Sequence, residues 1–288
     1  MEIEVKGHSG CQIDVVNENG SLYVYKSSRD PKYLKRLVNQ AIKQQQASSE
    51  RLQHIRIPRI LEIDESQEMV NVKMDYVYSK NFVEFFEHAG FEQVDYLISA
   101  FIDFIEHEII RSEMQTVPRE VVTDKFDDVE SKTLNNPNLK DDAEVVRIIN
   151  RSRVIFDMLP DMDLPVGICH GDLTFSNILF NGNNYYLIDF LDSFIESPLL
   201  DIVKLRQDTA WLWSKLMYIH SCDAIRLKII FSKIDEALDS YFSEKYEWYR
   251  NFYKPLQLMN SLRILQYAHE SKVIEYLKRT INEQLEGF

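Results

Sequence analysis

Two carboxylates and one amide stand at spacings that could serve chemistry. Asp172 is followed five residues on by Asn177 and twelve beyond that by Asp189. The residues between Asn177 and Asp189 read as a hairpin. Residues 178–180 form a short apolar strand, 181–184 (Asn-Gly-Asn-Asn) have turn chemistry, and 185–188 form the return strand. The open ends of a hairpin lie side by side, so Asn177 and Asp189 are expected as neighbours. A pair of hard oxygen donors suits Mg²⁺, which takes one or two protein carboxylates and completes its shell with phosphate and water. Asp172 lies just before the hairpin, close enough to take the proton of an attacking hydroxyl. These are the parts that phosphoryl transfer requires. The plainer alternative is a His-Gly-Asp turn and an aspartate that merely ends a buried strand. The joint spacing and the strand-turn context favour the functional reading.

The same residues carry a family likeness. His170-Gly171-Asp172, Asn177 and Ile188-Asp189-Phe190 resemble the aminoglycoside phosphotransferase and choline kinase group. These are relatives of the protein kinases that carry His-Gly-Asp where protein kinases carry His-Arg-Asp. Pro198 and Asp201 match the Pro-x-x-Asp signature that follows in this group. Leu191 replaces the glycine of Asp-Phe-Gly, as is usual there. The resemblance implies an α+β, bilobal protein-kinase-like fold, with a small β-rich N-terminal lobe (1–78) and a larger helical lobe (79–288). It implies ATP, or GTP, with Mg²⁺ as cofactors. Asp172 would be the catalytic base, Asn177 and Asp189 the metal ligands, and His170 and Asp201 structural supports of the catalytic loop. Asp192 would either face the acceptor or cap the next segment.

Upstream, residues 3–5, 13–16 and 22–26 read as strands, with Gly7, Ser9 and Gly10 in the first connection. A Gly-x-x-Gly loop is often only a turn. In a nucleotide-binding lobe its backbone and the Ser9 hydroxyl would approach phosphates. Lys26 resembles the strand lysine of kinases that holds the α- and β-phosphates. Helical spacing follows Asp30-Pro31. In the family a glutamate of this helix pairs with the lysine, yet no acid occurs between Asp30 and Glu50. Gln40 is the first candidate for that position and Gln44 the second, with Glu62 or another acid as a substitute. An amide lacks the charge-assisted strength of a carboxylate. Residues 57–63 and 69–74 read as the last strands of the lobe. Met74 and Tyr76 fall at the family's hinge, where a base bonds to backbone, or are plain core.

The elements beyond residue 81 are mostly helical: 82–88, 94–112, 143–158, 201–217, 224–242 and 253–285. Residues 117–142 are polar, with a short helix near 125–133 and room for a flap. Tyr246, Trp248, Tyr249, Phe252 and Tyr253 have the composition of a cation cage, though such clusters more often form core.

Composition bounds the partners. The 288 residues are 45% hydrophobic and 27% charged, ordinary for a chain that buries a core, and carry a formal net charge of −13. That charge argues against a nucleic acid or an anionic membrane as partner and is compatible with a cationic substrate. Cys11, Cys169 and Cys222 show no paired or metal-type spacing and read as reduced thiols. No signal peptide and no membrane-spanning run is visible, so a cytoplasmic location is expected. The partner expected is a small hydroxylated molecule: an amino alcohol, a sugar or an aminoglycoside. Nothing in the sequence marks an oligomeric state. The rival function is a nucleotide-binding regulator of the same fold with weak or no transfer.

Overall fold

The computed structural model describes residues 11–288. The expected first strand and the Gly7, Ser9 and Gly10 loop lie outside them. Among the described residues the chain has the expected α+β, bilobal composition, a β-rich N-terminal part followed by a larger helical part. It falls into two compact units. One comprises the chain up to His107 together with His170–Asp192, and the other comprises Glu108–Cys169 with Ser193–Phe288.

The first unit is built on an antiparallel sheet of order β1-β2-β5-β4, from β1 (Gln12–Glu18), β2 (Ser21–Ser28), β4 (Ile60–Glu65) and β5 (Val70–Asp75). The β1–β2 turn uses Asn19 and Gly20, both at positive φ, the geometry a two-residue hairpin loop requires. Helix α1 (Leu34–Ser48) lays Leu37 and Ala41 against Ile60, Val70, Val72 and Met74. Met74 is therefore core, one of the two readings open from the sequence. The strand expected over 57–63 starts three residues later. Pro58 has no N–H for a ladder, so β4 begins at Ile60 and β3 (Ile55–Arg56) joins another sheet.

That second sheet has the order β3-β9-β8, with β8 (Ile178–Asn181) and β9 (Asn184–Leu187) forming the expected hairpin. Ile178, Phe180, Tyr185 and Leu187 alternate inward and are buried. The hairpin sits on aromatic rings supplied by α2 (Phe82–Phe86) and α3 (Phe91–Ile110). Phe180 stacks on Phe85 at 4.5 Å between centroids, and Phe175 lies 5.2 Å from Phe86. Asn81 and Glu84 close a reciprocal capping box at the start of α2.

In the second unit, β6 (Glu113–Val117) pairs with β7 (Met162–Val166), an element that the short, mostly exposed β6 strand concealed in the sequence. Between these two strands, the polar segment expected to hold a short helix near 125–133 carries a longer one, α4 (Arg119–Asn135), which buries Val122, Phe126 and Val129 on one stripe. α5 (Ala143–Asp157) is capped by Asp142, whose carboxylate accepts from the Glu144 and Val145 amides. The helix expected over 201–217 breaks into α6 (Pro198–Thr209) and α7 (Trp213–Met217). Leu212 takes a left-handed conformation and Asp208 accepts from the Ser214 amide at 2.7 Å. After α8 (Ala224–Lys245), the last expected helix also divides, into α9 (Glu247–Leu265) and α10 (Ser271–Leu285). Asn136 satisfies the Gln266 and Ala268 carbonyls at that break. Among the described residues no helix is long and apolar enough to cross a membrane.

Candidate active site

At Gly171 the segment from Cys169 to Thr174 has no room for a side chain where it meets the loop after β9. Gly171 has φ +86°, and a Cβ there would stand 2.0 Å from the Leu191 carbonyl oxygen. Only glycine fits. On one side of it His170 is fully buried, and its Nδ1 accepts the Asp172 amide at 3.2 Å. Nε2 therefore carries the ring proton and donates to the Ile188 carbonyl at 2.9 Å. Burial lowers the His170 pKa to about 4, with the Asp172 charge pulling the other way, so the ring is neutral near pH 7. It packs against Phe190 at 4.3 Å.

A single turn of 3-10 helix, Phe175–Asn177, carries the chain from Asp172 to β8. Asn177 uses its Nδ2 twice, on the Asp172 carbonyl at 2.8 Å and on Asp172 Oδ2 at 3.0 Å. Its amide oxygen is thus turned away from Asp172. The Ile188 amide donates to the Asn177 carbonyl at 3.1 Å, extending the hairpin by one rung and placing Asp189 beside Asn177. Asp189 has φ +62°, uncommon for a residue with a side chain and tolerated best by Asp and Asn.

Lys26 reaches the same place from the middle of the first sheet, in register with Ile13 and Val72. Its ammonium donates to Asp189 Oδ1 at 2.8 Å. Burial pulls the Lys26 pKa down, but the Asp189 charge and hydrogen bond outweigh it and the pKa is raised. The acid on Lys26 is therefore Asp189. Glu62 lies exposed on β4. Gln40 is buried on α1, where its Oε1 accepts from the Tyr33 hydroxyl at 3.2 Å, and its Nε2 has no partner among the described residues. Gln44 donates to the Pro58 carbonyl at 3.0 Å, bracing the turn between β3 and β4.

Two side chains of α1 that the sequence reading passed over meet the loop after Asp189. Lys43 donates to the Leu191 carbonyl at 2.6 Å, and Asn39 approaches Asp192 Oδ2 at 3.4 Å. The available signal was a lysine three residues from Gln40 and four from Ala47, hence on the inward face. Asp192 itself is exposed. Tyr76 follows β5 and meets Tyr78 edge-on at 5.0 Å. Asp201 is wholly buried in the first turn of α6, where the helix dipole favours a carboxylate.

The donor set meets the test for a hard cation. Asn177 keeps its amide oxygen, and Asp189 has given only Oδ1 to a protein cation among the described residues. No group of three or more His, Cys, Asp or Glu residues among the described ones could hold an ion alone. An ion here would complete its shell with ligand oxygens and water, as Mg²⁺ does.

Comparison with known proteins gives the family and the fold. A family model described as "Phosphotransferase enzyme family" (APH) matches residues 15–219. No curated protein matches the sequence. Among solved structures, APH(2")-IIia in complex with GDP and kanamycin superposes with a TM-score of 0.63 at 14% identity, covering 99% of this chain and 95% of that one. A thermostable mutant of aminoglycoside phosphotransferase APH(4)-Ia, in ternary complex with ADP and hygromycin B, gives 0.60 at 11% identity, with 98% and 92% covered. A type VIII aminoglycoside-3'-phosphotransferase gives 0.52 at 12% identity, with 99% and 92% covered.

Proposed function

The chain belongs to the phosphotransferase enzyme family, and we propose that it moves the γ-phosphate of ATP or GTP to a hydroxyl of a small metabolite. One observation carries the reading: Lys26, Asp172, Asn177 and Asp189 converge through the 2.8 Å Lys26–Asp189 pair and the Asn177–Asp172 hydrogen bonds. A purely structural role would not require a buried ammonium, two carboxylates and an amide at one spot. In this reading Asp172 orients the acceptor hydroxyl and takes its proton on a carboxylate oxygen as the bond to phosphorus forms. Asn177 holds Asp172 in place with its amide nitrogen, and its oxygen, with Asp189, would hold Mg²⁺. When bound, the ion would supply positive charge against the phosphates. Lys26 binds the phosphates, and Gly7, Ser9 and Gly10 cover them. The backbone around Met74 and Tyr76 receives the base, with the nucleotide-binding lobe ending near residue 78. Positioning and charge do most of the work in such transfers.

The acceptor is a hydroxylated small molecule. A net charge of −13 suits a cationic one, such as an amino alcohol or amino sugar. The complexes of the structural neighbours with kanamycin and with hygromycin B extend that class to aminoglycosides. We place the activity in the cytoplasm, with no nucleic-acid or membrane partner.

A second reading, a nucleotide-binding regulator, draws on one observation. α1 brings no carboxylate to Lys26, and Gln40 is engaged with Tyr33 instead. The deciding experiment measures Mg²⁺-dependent ADP or GDP release over a panel of amino alcohols, sugars and aminoglycosides, with Asp172→Asn as the blank. Turnover that vanishes in the variant while nucleotide still binds supports the enzyme. Nucleotide binding without turnover on any acceptor moves the assignment to the regulator.

A further inference from the structure

We propose that Lys43 is a positioning residue, which couples α1 to the Asp189 loop by holding the Leu191 carbonyl. The inference rests on the phosphotransferase reading of Asp189. It begins from strain. Asp189 sits at φ +62°, and such a conformation persists only where its surroundings over-determine it. Three of the bonds that determine it come from the catalytic segment. His170 donates to the Ile188 carbonyl, the Ile188 amide donates to the Asn177 carbonyl, and the Leu191 amide donates to the His170 carbonyl at 2.9 Å.

The fourth comes from α1. Lys43 Nζ lies 2.6 Å from the Leu191 oxygen, the same oxygen that a Cβ on Gly171 would strike. The peptide group that follows Leu191 is thus packed on Gly171 below and held by a cation. A lysine on a helix surface ordinarily turns its ammonium to water. Lys43 is 9% exposed and directs its ammonium to a backbone carbonyl, a charge-assisted bond stronger than a neutral one. Asn39, one helical turn earlier, makes the weaker 3.4 Å contact to Asp192. Helix α1 therefore meets the loop at two consecutive residues. The helix supplies no carboxylate to Lys26, so its grip on the site runs through the backbone beyond Asp189.

The test uses the full chain and two readouts. In Lys43→Met, amide hydrogen exchange over residues 188–192 should quicken roughly tenfold while helices α8 to α10 keep their protection. Lys43→Arg should restore more than half of the lost protection, since it keeps the charge and the donors. With an acceptor identified, Lys43→Met should lower kcat about tenfold and raise the Mg²⁺ concentration for half-maximal rate, with the acceptor KM within about threefold of wild type. Unchanged exchange over 188–192, a rise spread evenly over the whole chain, or an arginine variant no better than methionine would overturn the proposal. If the wild type transfers no phosphate, the functional reading fails, and the exchange comparison still decides the role of Lys43. Should Lys43→Met not fold, Lys43→Gln carries the same comparison.

Discussion

Lys26 and Asp189 lie 163 residues apart in sequence and 2.8 Å apart in space, and they are unequally buried, with side chains 6% and 37% exposed. The inequality decides what each can do without the other. Asp189 can rehydrate; the ammonium of Lys26 cannot without moving.

Lys26→Met should therefore leave stability within about 1 kcal/mol of wild type, because an apolar side chain of similar length replaces the buried cation and Asp189 turns to water. Asp189→Ala should cost about 3 kcal/mol, since it strands a buried ammonium. Both should abolish phosphotransfer. Urea unfolding of the two variants separates them, and a Lys26→Met loss equal to that of Asp189→Ala would show that burial does not set the order.

Gly171→Ala forces a Cβ into the 2.0 Å gap to the Leu191 oxygen, at a φ of +86° that alanine resists. Backbone has to shift, since the obstacle is a carbonyl held at its other side by Lys43. We expect a stability loss of more than about 1 kcal/mol from the positive φ alone, with turnover reduced further than stability explains. Circular-dichroism melting beside an ADP-release assay checks it; a variant with wild-type Tm and rate would refute the close packing.

His170 gives a pH signature. Its folded pKa of about 4 lies below the unfolded value of 6.5, so between these values the unfolded chain binds a proton that the folded chain refuses. The contribution is complete above about pH 6.5 and is lost as the pH falls toward 4. From pH 7 to pH 5 this one group should remove about 2 kcal/mol of unfolding free energy. His170→Gln should lose about that much less over the same interval, read from urea midpoints at the two pH values. Equal losses in both proteins would mean that the ring is not held neutral.

The placement of the site was largely legible before the structure, and for a local reason. Asp172, Asn177 and Asp189 are joined by a turn and a hairpin whose signals, Asn181-Gly182 between alternating apolar residues, are short-range. Lys26 stands on a strand whose neighbours have ordinary β patterning. The contacts of α1 were not legible. Lys43 bonds to a backbone carbonyl 148 residues away, and a carbonyl has no sequence identity to search for. Gln40 is the first candidate on the helix for a partner of Lys26, but its side chain turns to Tyr33, seven residues before it. Helix ends in the second unit were blurred for a related reason. The breaks at 210–212 and 266–270 contain no glycine or proline; Asp208 in the last turn of α6 accepts from the Ser214 amide across the first, and Asn136, 130 residues away, bonds to the carbonyls at the second.

The aromatic cluster of α9 suits a cation, and the cation it holds is the protein's own. Arg206 of α6 lies 4.4 Å from the Tyr253 ring centroid, donates to both oxygens of Asp235 at 2.9 and 2.8 Å, and also reaches Asp239 and Tyr249. Burial works against its charge, but these partners outweigh it and the guanidinium pKa is raised. Arg206→Met would leave Asp235 with the Thr209 hydroxyl as its remaining hydrogen-bond donor in this cluster. Breaking a buried pair from one side costs roughly 3–5 kcal/mol. Arg206→Lys should cost less, since one ammonium keeps the charge but cannot make the two-pronged bond. Replacing Asp235 by leucine in the Arg206→Met background should return part of the loss, because the more buried carboxylate is then gone and the half-exposed Asp239 can turn to water. Urea unfolding of the two single variants and the double variant closes the cycle. Additive losses would mean that Arg206 and Asp235 contribute separately.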